Sequence, residues 1–200
     1  MIRRMIAAAT AVLLGVALTG CSANDSLAQQ YQEGNEKGYI AGDFRVVEIA
    51  AGERGDPVVF EGVTETGETV SSDDYRGEVL VVNFWYAACG PCIVEAPLLE
   101  EVWQEYQDQG VSFLGVNTYD QPATALSFAR DNNVTYPSVI DVNDGKVKLA
   151  FAQVTPIQAT PTTLVLDRNG RVAARVIGQL ASASILSTLV ADTLAEENPS

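Results

Sequence analysis

An apolar run over residues 79–88 predicts a buried strand near the middle of the chain. From Ile93 onward, large apolar side chains recur every three or four residues, which is the period of a helix that buries one face. The side chains that carry this period are Leu99, Val102, Trp103 and Tyr106. Cys89 and Cys92 lie between the two patterns, so we expect both in the first turn of a helix that directly follows a strand.

A second apolar run over residues 111–116 predicts another buried strand, which completes a β-α-β unit around the two cysteines. Next, the pattern predicts a helix over residues 121–132 with Asp120 as its N-cap. A short strand over residues 136–140 and a brief helix over residues 146–151 follow. The chain therefore alternates strands and helices through its middle, as α/β proteins do.

The two ends of this unit carry strand patterns. Downstream, an Asn-Gly turn predicts a hairpin between residues 164–166 and 172–177, and Ser182 caps a final helix. Upstream, short strands are predicted over residues 46–49 and 58–63, and a turn leads from there into a further strand. These upstream strands predict an N-terminal β-hairpin before the central unit.

The spacing of Cys89 and Cys92 suits thiol exchange. The free N–H groups and the positive end of the dipole at a helix start favour a thiolate, so Cys89 should ionise nearer neutral pH than the roughly 8.5 of a free cysteine. Cys92 lies one turn deeper on the same face, where its sulfur can attack a mixed disulfide between Cys89 and a partner. We predict that Cys89 is the attacking sulfur, readily alkylated when reduced, and that Cys92 is the shielded resolving sulfur.

Other interpretations of the cysteine pair are weaker. Zinc needs about four ligands, whereas this chain has no His and its third Cys is Cys21. Haem attachment needs His at the position of Ile93. Two cysteines that are simply buried remain an alternative, but a C-x-x-C motif near a β-α-β pattern is typical of a redox pair. We therefore expect disulfide chemistry with no metal and no organic cofactor.

One combination of residues resembles a known family. The combination consists of Asn83-Phe84-Trp85, Cys89-Gly90-Pro91-Cys92, Glu95 and Pro97. Over about residues 58–195, the chain resembles the extracytoplasmic thioredoxin-fold thiol:disulfide oxidoreductases of the TlpA/ResA type. The resemblance implies an α/β, thioredoxin-like fold with an N-terminal β-hairpin and a central helix-strand insertion over residues 121–140. Tyr86 departs from the small residue that this family usually carries after the Trp.

The resemblance also implies site residues beyond the cysteines. Pro161 stands where the family holds a cis proline that faces the C-x-x-C motif, although the residue alone is equally consistent with a trans proline that starts a strand. Thr160, Pro161 and Trp85 would then bind the substrate segment. Glu95 lies one helical turn beyond Cys92, where a carboxylate can take the proton of the resolving thiol. The alternative for Glu95 is an acid on a solvated helix face.

Residues 1–20 resemble a bacterial lipoprotein signal, in which Arg3 and Arg4 precede an apolar run that ends shortly before Cys21. The run is too short to cross a hydrocarbon core of roughly 30 Å comfortably, so we expect a removed export signal. A diacylglyceryl group on Cys21 would then hold the protein at the outer face of the cytoplasmic membrane. The alternative is an ordinary secretory signal with a chance cysteine.

The remaining chain divides into two parts. Residues 21–42 are mostly polar and predict a flexible tether, and residues 43–200 form the thioredoxin-like domain. The chain carries 26 acidic and 12 basic residues, for a net charge of −14, which excludes nucleic acid as a partner class. Anionic lipid would repel such a body as well, so the covalent anchor is the expected means of membrane attachment.

The predicted function is the exchange of disulfides with protein partners. Family resemblance suggests reduction of partner disulfides, such as those of the haem-binding cysteines of apocytochrome c, with electrons from a membrane thiol-reductant donor. The alternatives are an oxidase of exported proteins, a thiol peroxidase and a metal-binding lipoprotein such as a copper chaperone. Related peroxidases carry Thr where Tyr86 stands, and copper chaperones pair their thiols with His, which this chain lacks.

Overall fold

The computed structural model of the protein describes residues 46–196. The signal predicted over residues 1–20, the lipidation site Cys21 and the tether predicted over residues 21–42 lie outside these residues. Within residues 46–196, no helix has the length and apolar composition that crossing a membrane requires.

Strand β4 (Val79–Trp85) lies in the middle of a six-stranded sheet, and all of its residues are buried. Strand β5 (Val111–Asn117) runs parallel to β4 on one side, and β7 (Thr162–Leu166) runs antiparallel to it on the other. The other strands of this sheet are β6 (Ser138–Ile140), β8 (Val172–Ile177) and β1 (Val46–Glu48). The order across the sheet is β1-β8-β7-β4-β5-β6, which confirms the predicted β-α-β unit and the C-terminal hairpin.

Four helices cover this sheet: α1 (Gly90–Tyr106), α2 (Pro122–Asn132), α3 (Lys146–Val154) and α4 (Ala183–Ala195). Successive residues of β4 point to opposite sides of the sheet. Val79 and Val81 pack in a layer with α1 and α4, whereas Leu80, Val82 and Phe84 pack in a second layer with α3. Helix α2 and strand β6 together form the helix-strand insertion expected from the family resemblance. The fold class predicted from the sequence is therefore confirmed.

The N-terminal β-hairpin is also present, but its members differ in part from the prediction. Strands β2 (Glu61–Val63) and β3 (Thr69–Ser71) pair antiparallel in a separate small sheet. The strand predicted over residues 46–49 instead pairs with β8 in the main sheet, where Val46 is buried in the layer of α1 and α4. Residues 58–60 alternate buried and exposed side chains as a strand would, but they lie outside the two strands of the small sheet.

Of two predicted helix caps, one is wrong and one is confirmed. The N-cap of α2 is Gln121, because Pro122 occupies the first helical position, and Asp120 lies outside the helix. The Asp120 carboxylate instead accepts a hydrogen bond from the backbone N–H of Ala87, 2.6 Å away. Ser182 is the N-cap of α4 as predicted, but its hydroxyl bonds the hydroxyl of Ser184 rather than a backbone N–H.

Candidate active site

Cys89 and Cys92 lie where β4 leads into α1, and they form a disulfide with their Cα atoms 5.2 Å apart. Cys89 is the N-cap of α1 and Cys92 lies in its first turn, which confirms the predicted position at a helix start. The backbone N–H of Cys92 points to Sγ of Cys89 over 3.2 Å. This donor and the positive end of the helix dipole both stabilise a thiolate at Cys89 once the disulfide is opened.

The two sulfurs are covered to nearly the same degree in the disulfide form. Cys89 is 3% exposed and Cys92 is 2% exposed. Little of either cysteine is therefore accessible to a partner in the disulfide form. The predicted difference in alkylation concerns the reduced thiols, and it stays a prediction.

The loop before β7 lies against the disulfide. The peptide bond between Thr160 and Pro161 is cis, as the family resemblance implies. The carbonyl oxygen of Thr160 lies 3.9 Å from Sγ of Cys89. The hydroxyl of Thr162 donates to the carbonyl of Ala159 over 2.7 Å and so closes this loop on itself. The tertiary structure thus brings Cys89 next to residues that follow it by about 70 positions in the sequence.

Trp85 ends β4 just before the cysteines, and its indole is 5% exposed. The ring packs against Phe128 of α2 with centroids 4.4 Å apart and planes inclined at 38°, and its Nε1–H donates to the hydroxyl of Ser138 over 3.2 Å. Gly115 of β5 makes room for this contact, because a Cβ there would collide with both the indole and the Ser138 hydroxyl. Trp85 belongs to the same apolar cluster as Cys89 and Cys92, so the indole supports the disulfide, and its role in substrate binding stays a prediction.

Glu95 is completely buried, which distinguishes it from an acid on a solvated helix face. Its carboxylate accepts hydrogen bonds from Nδ2 of Asn83 over 2.8 Å and from the backbone N–H of Leu180 over 2.9 Å. Burial raises the pKa of Glu95 to about 7, although these two hydrogen bonds act in the opposite direction. A carboxyl group with this pKa can accept or release a proton near neutral pH.

A small cavity lies beside Cys92 and has about 10 Å³ of space for the centre of a water molecule. Asn83, Trp85, Phe128 and Tyr136 contribute to its walls. A volume of this size is close to the minimum that one water needs. Among residues 46–196, no three metal-ligating side chains of His, Cys, Asp or Glu come together.

Several contacts of the site escaped the sequence analysis. Asn117 ends β5 and Asp120 follows it, and together they connect the end of this strand to the loop before Cys89. The signal that could have revealed them is their position, because the carboxyl ends of the parallel strands β4 and β5 meet at the same edge of the sheet. Ser138 and Leu180 carry no comparable signal, since their partners are 53 and 85 residues away in the chain.

Comparisons with known proteins agree with this geometry. Residues 55–175 match the profile of the AhpC/TSA family. The thiol-disulfide oxidoreductase ResA of Geobacillus thermodenitrificans is 38% identical over 112 residues, which is 56% of this chain and 62% of that protein. The chain thus spans less than two thirds of the length of this relative.

Solved structures of similar fold cover more of the chain. A DsbF homologue from Corynebacterium diphtheriae is 30% identical, with a TM-score of 0.66 over 80% of this chain and 99% of that one. A secreted thiol-disulfide isomerase from Corynebacterium glutamicum has a TM-score of 0.70 over 81% of this chain and 99% of that one. Its identity is 23%, so this second likeness concerns the fold alone.

Proposed function

We propose that this chain, which belongs to the AhpC/TSA family, is a thiol:disulfide oxidoreductase that exchanges disulfides with protein partners through Cys89 and Cys92. The observation that carries the proposal is the position of the Cys89–Cys92 disulfide at the start of α1, beside the cis Thr160-Pro161 bond. Helix-start stabilisation of one thiolate is what such an exchange requires of its attacking sulfur. The name of the ResA relative supports the same activity.

In the reducing direction, the Cys89 thiolate attacks one sulfur of a partner disulfide. A bond forms between Cys89 and that sulfur, and the second partner sulfur leaves as a thiolate. Cys92 then attacks the Sγ of Cys89, which restores the disulfide of this protein and releases the partner with both of its thiols free. Two electrons pass from this protein to the partner, and no other cofactor takes part in the exchange.

Glu95 serves the second step in this proposal. Cys92 must lose its proton before it attacks, and a buried thiol does not ionise readily. Glu95 lies one helical turn further along α1, and its pKa of about 7 suits a group that accepts a proton near neutral pH. Within residues 46–196, the hydrogen-bond partners of Glu95 are Asn83 and Leu180, and neither is a cation, which suits a group that changes protonation state.

Trp85, Thr160 and Pro161 form the substrate-binding part of the proposed site. The carbonyl of Thr160 can accept a hydrogen bond from an extended partner segment, since it already lies beside Cys89. Apocytochrome c, with its pair of haem-binding cysteines, is the partner that the family resemblance suggests. A membrane thiol-reductant donor would then return electrons to the Cys89–Cys92 disulfide.

The proposal includes a location outside the cytoplasm, with a lipid anchor on Cys21. The lipoprotein-like residues 1–20 support it. The Cys21→Ala variant should incorporate no labelled fatty acid in cells, whereas Cys92→Ala, which keeps Cys21, should be labelled like the parent. Unchanged labelling of Cys21→Ala would contradict the anchor and leave the disulfide chemistry untouched.

Trapping tests the roles of the two sulfurs. In the reduced Cys92→Ala variant, Cys89 should accumulate mixed disulfides with a disulfide-bonded test protein, because the resolving thiol is missing. The Cys89→Ala variant should accumulate far fewer, since Cys92 lacks the helix-start position and the backbone donor that favour the Cys89 thiolate. Mass spectrometry after acid quenching identifies the adducts. Equal adduct formation at Cys92 would reverse the assigned roles.

The reduction potential tests the direction of electron flow. Thioredoxin lies near about −270 mV and the oxidant DsbA near about −120 mV. The acidic chain and Glu95 disfavour a Cys89 thiolate and so reduce the stabilisation of the reduced form. A strong oxidant such as DsbA depends on a stabilised reduced form, so we expect a value nearer thioredoxin. The full chain is equilibrated with dithiothreitol or glutathione buffers. A potential above about −180 mV would favour the oxidase instead.

A further inference from the structure

The surface around the disulfide differs in charge from the protein as a whole. Three segments contain the cysteines or contact the loops beside them, over residues 86–94, 117–122 and 159–161, and the only charged residue within these segments is Asp120. The carboxylate of Asp120 already accepts two hydrogen bonds, from Ala87 and Asn117. The chain as a whole carries a net charge of −14. A nearly uncharged surface at the reacting sulfurs therefore lies within a strongly acidic protein.

Two tyrosines give this surface an aromatic edge. The rings of Tyr86 and Tyr119 have centroids 5.7 Å apart and are inclined at 48°. Tyr86 packs against the cluster that contains both cysteines, and its carbonyl accepts a hydrogen bond from the N–H of Cys89. Tyr119 is 72% exposed, which is unusual for a large aromatic side chain. The tyrosine pair, Tyr86 with Tyr119, thus extends from the disulfide to the solvent.

Hydrogen bonds hold the two loops of the tyrosine pair together. The Asp120 carboxylate binds the N–H of Ala87, which directly follows Tyr86, over 2.6 Å. Oδ1 of Asn117 accepts from the N–H groups of Tyr119 and Asp120 over 3.0 and 2.7 Å. Asn117 is completely buried, so these bonds are shielded from water. A surface whose loops are already fixed loses little conformational entropy when a partner binds.

We infer that the tyrosine pair selects the substrate of the proposed exchange by binding an aromatic or branched aliphatic side chain next to the reacting cysteine of an extended polypeptide. This inference rests on the function proposed above and concerns its substrate class. Exposed tyrosines suit this role, because they supply large contact area at low entropic cost and are enriched where interfaces gain most of their affinity. The continuity of the pair with the disulfide cluster places the bound side chain beside the sulfur under attack.

Charge restricts the same substrate class. The net charge of −14 repels an acidic polypeptide and attracts a basic one, whereas the surface at the cysteines offers an approaching side chain almost no charge of its own. The preferred segment therefore carries apolar side chains beside its cysteine and basic residues further away.

Three matched peptides test the inference with the oxidised full chain. Each has one cysteine: the first has a neighbouring phenylalanine and lysines at both ends, the second replaces phenylalanine by serine, and the third replaces the lysines by glutamates. The peptide thiolate attacks Sγ of Cys89, and Cys92 leaves as a thiolate. A second peptide thiolate then attacks the peptide sulfur of the mixed disulfide, so that two peptide thiols become one peptide disulfide and the protein gains two electrons. The rate is followed by stopped-flow tryptophan fluorescence and checked by acid quenching.

The phenylalanine peptide should react about two- to tenfold faster than the serine peptide, as expected for one aromatic contact. The Tyr119→Ala variant should lose most of this ratio, and Tyr119→Phe should keep it because the ring remains. Leu149→Ala removes another exposed apolar side chain, 59% exposed against 72% for Tyr119, from α3 and should leave the ratio unchanged. The glutamate peptide should react more slowly than the lysine peptide at low salt, and the gap should narrow as salt screens the charges.

Two results would overturn the inference while leaving the proposed function intact: equal rates for the phenylalanine and serine peptides, or a ratio that Tyr119→Ala does not change. Equal rates for the lysine and glutamate peptides would overturn the part that concerns charge. If neither the peptides nor dithiothreitol opened the Cys89–Cys92 disulfide, the proposed function itself would be wrong, and the inference with it.

Discussion

Two buried carboxylates at opposite ends of the central strand have opposite electrostatic surroundings. Glu95 interacts with Asn83 near the active-site end of β4, whereas Asp167 follows β7 beside the other end of β4. Asp167 accepts hydrogen bonds from the guanidinium groups of Arg54 and Arg171, over 3.0 and 2.9 Å, and from backbone N–H groups. Burial would raise the pKa of Asp167, but these donors outweigh burial and hold it below its usual value.

The difference shows that neighbouring cations decide whether burial raises the pKa of a carboxyl group. Asp167 has two cations among its partners and remains ionised. It connects the turn after β7 to the loop of Arg54, and Arg54 in turn forms an ion pair with Glu196 at the end of α4. Within residues 46–196, Glu95 accepts hydrogen bonds only from the neutral donors of Asn83 and Leu180, and burial raises its pKa to about 7. A buried carboxyl group without a cation is the one that can exchange a proton at neutral pH.

The largest effect is expected from removing the charge of Asp167. The Asp167→Asn variant should lose about 3 kcal/mol of stability, because Arg171 loses its buried partner and Arg54, whose side chain is 3% exposed, keeps only the partly exposed Glu196. Urea unfolding of the oxidised protein measures the loss. Asp73→Asn removes the 91% exposed carboxylate of a surface pair with Arg76 and should change stability by less than about 1 kcal/mol. Equal losses of stability in the two variants would show that the buried ion pairs contribute no more stability than the surface pair.

The pH dependence of stability should carry the opposite sign at the two carboxylates. Asp167 has a lowered pKa, so its contribution is present above its unfolded pKa and is lost as the pH falls through the folded value. Glu95 has a raised pKa, so its contribution is present below about pH 4.5 and is lost as the pH rises through about 7. Between pH 5 and pH 8, Glu95→Gln should therefore gain roughly 2–3 kcal/mol relative to the parent.

Unfolding curves of both oxidised proteins at these two pH values measure that gain. The comparison with Glu95→Gln isolates Glu95 from the other acids, since all of them are shared. A difference that stays constant from pH 5 to pH 8 would mean that Glu95 does not titrate in this range.

The same variant tests proton transfer. Glu95→Gln should slow the attack of Cys92 on the mixed disulfide by about 100-fold, because a neutral amide accepts no proton. Single-turnover kinetics of a preformed mixed disulfide at Cys89 measure this step. In the parent the rate should rise through pH 7, and in the variant that inflection should be absent. A purely structural role would lower the rate without moving the pH profile.

The smallest effect is expected at Asn83, which donates to Glu95 over 2.8 Å and to the hydroxyl of Thr163 over 3.0 Å. Asn83→Ala removes a donor that stabilises the ionised carboxylate, so the pKa of Glu95 should rise further, by about one unit or about 1.4 kcal/mol. The pH midpoint of the stability change and the pH midpoint of the rate at which Cys92 attacks the mixed disulfide should both rise by the same amount. Thr163→Val removes the other partner of Asn83 and should leave both midpoints in place. If Thr163→Val shifted both pH midpoints by the same amount, the effect of Asn83→Ala would come from altered packing and not from the lost hydrogen bond to Glu95.

Much of the site could be predicted because its chemistry is local in the sequence. Cys89 and Cys92 lie three residues apart between a strand and a helix, and that pattern alone places them at a helix start. Asp120 was assigned wrongly for the same local reason: a carboxylate just before a helix is a common N-cap, and only its contact with Ala87, 33 residues away, shows another use.

The amino-acid sequence by itself determined the order of strands and helices, the position of the reacting cysteines and, through family resemblance, the cis bond before Pro161. Only the tertiary structure decided which acids are ionised. The neighbours of Glu95 and Asp167 include Leu180 and Arg54, which are 85 and 113 residues away along the chain. Hydrophobic periodicity reports the face that an element buries, whereas a pKa depends on the individual groups that folding brings to that face.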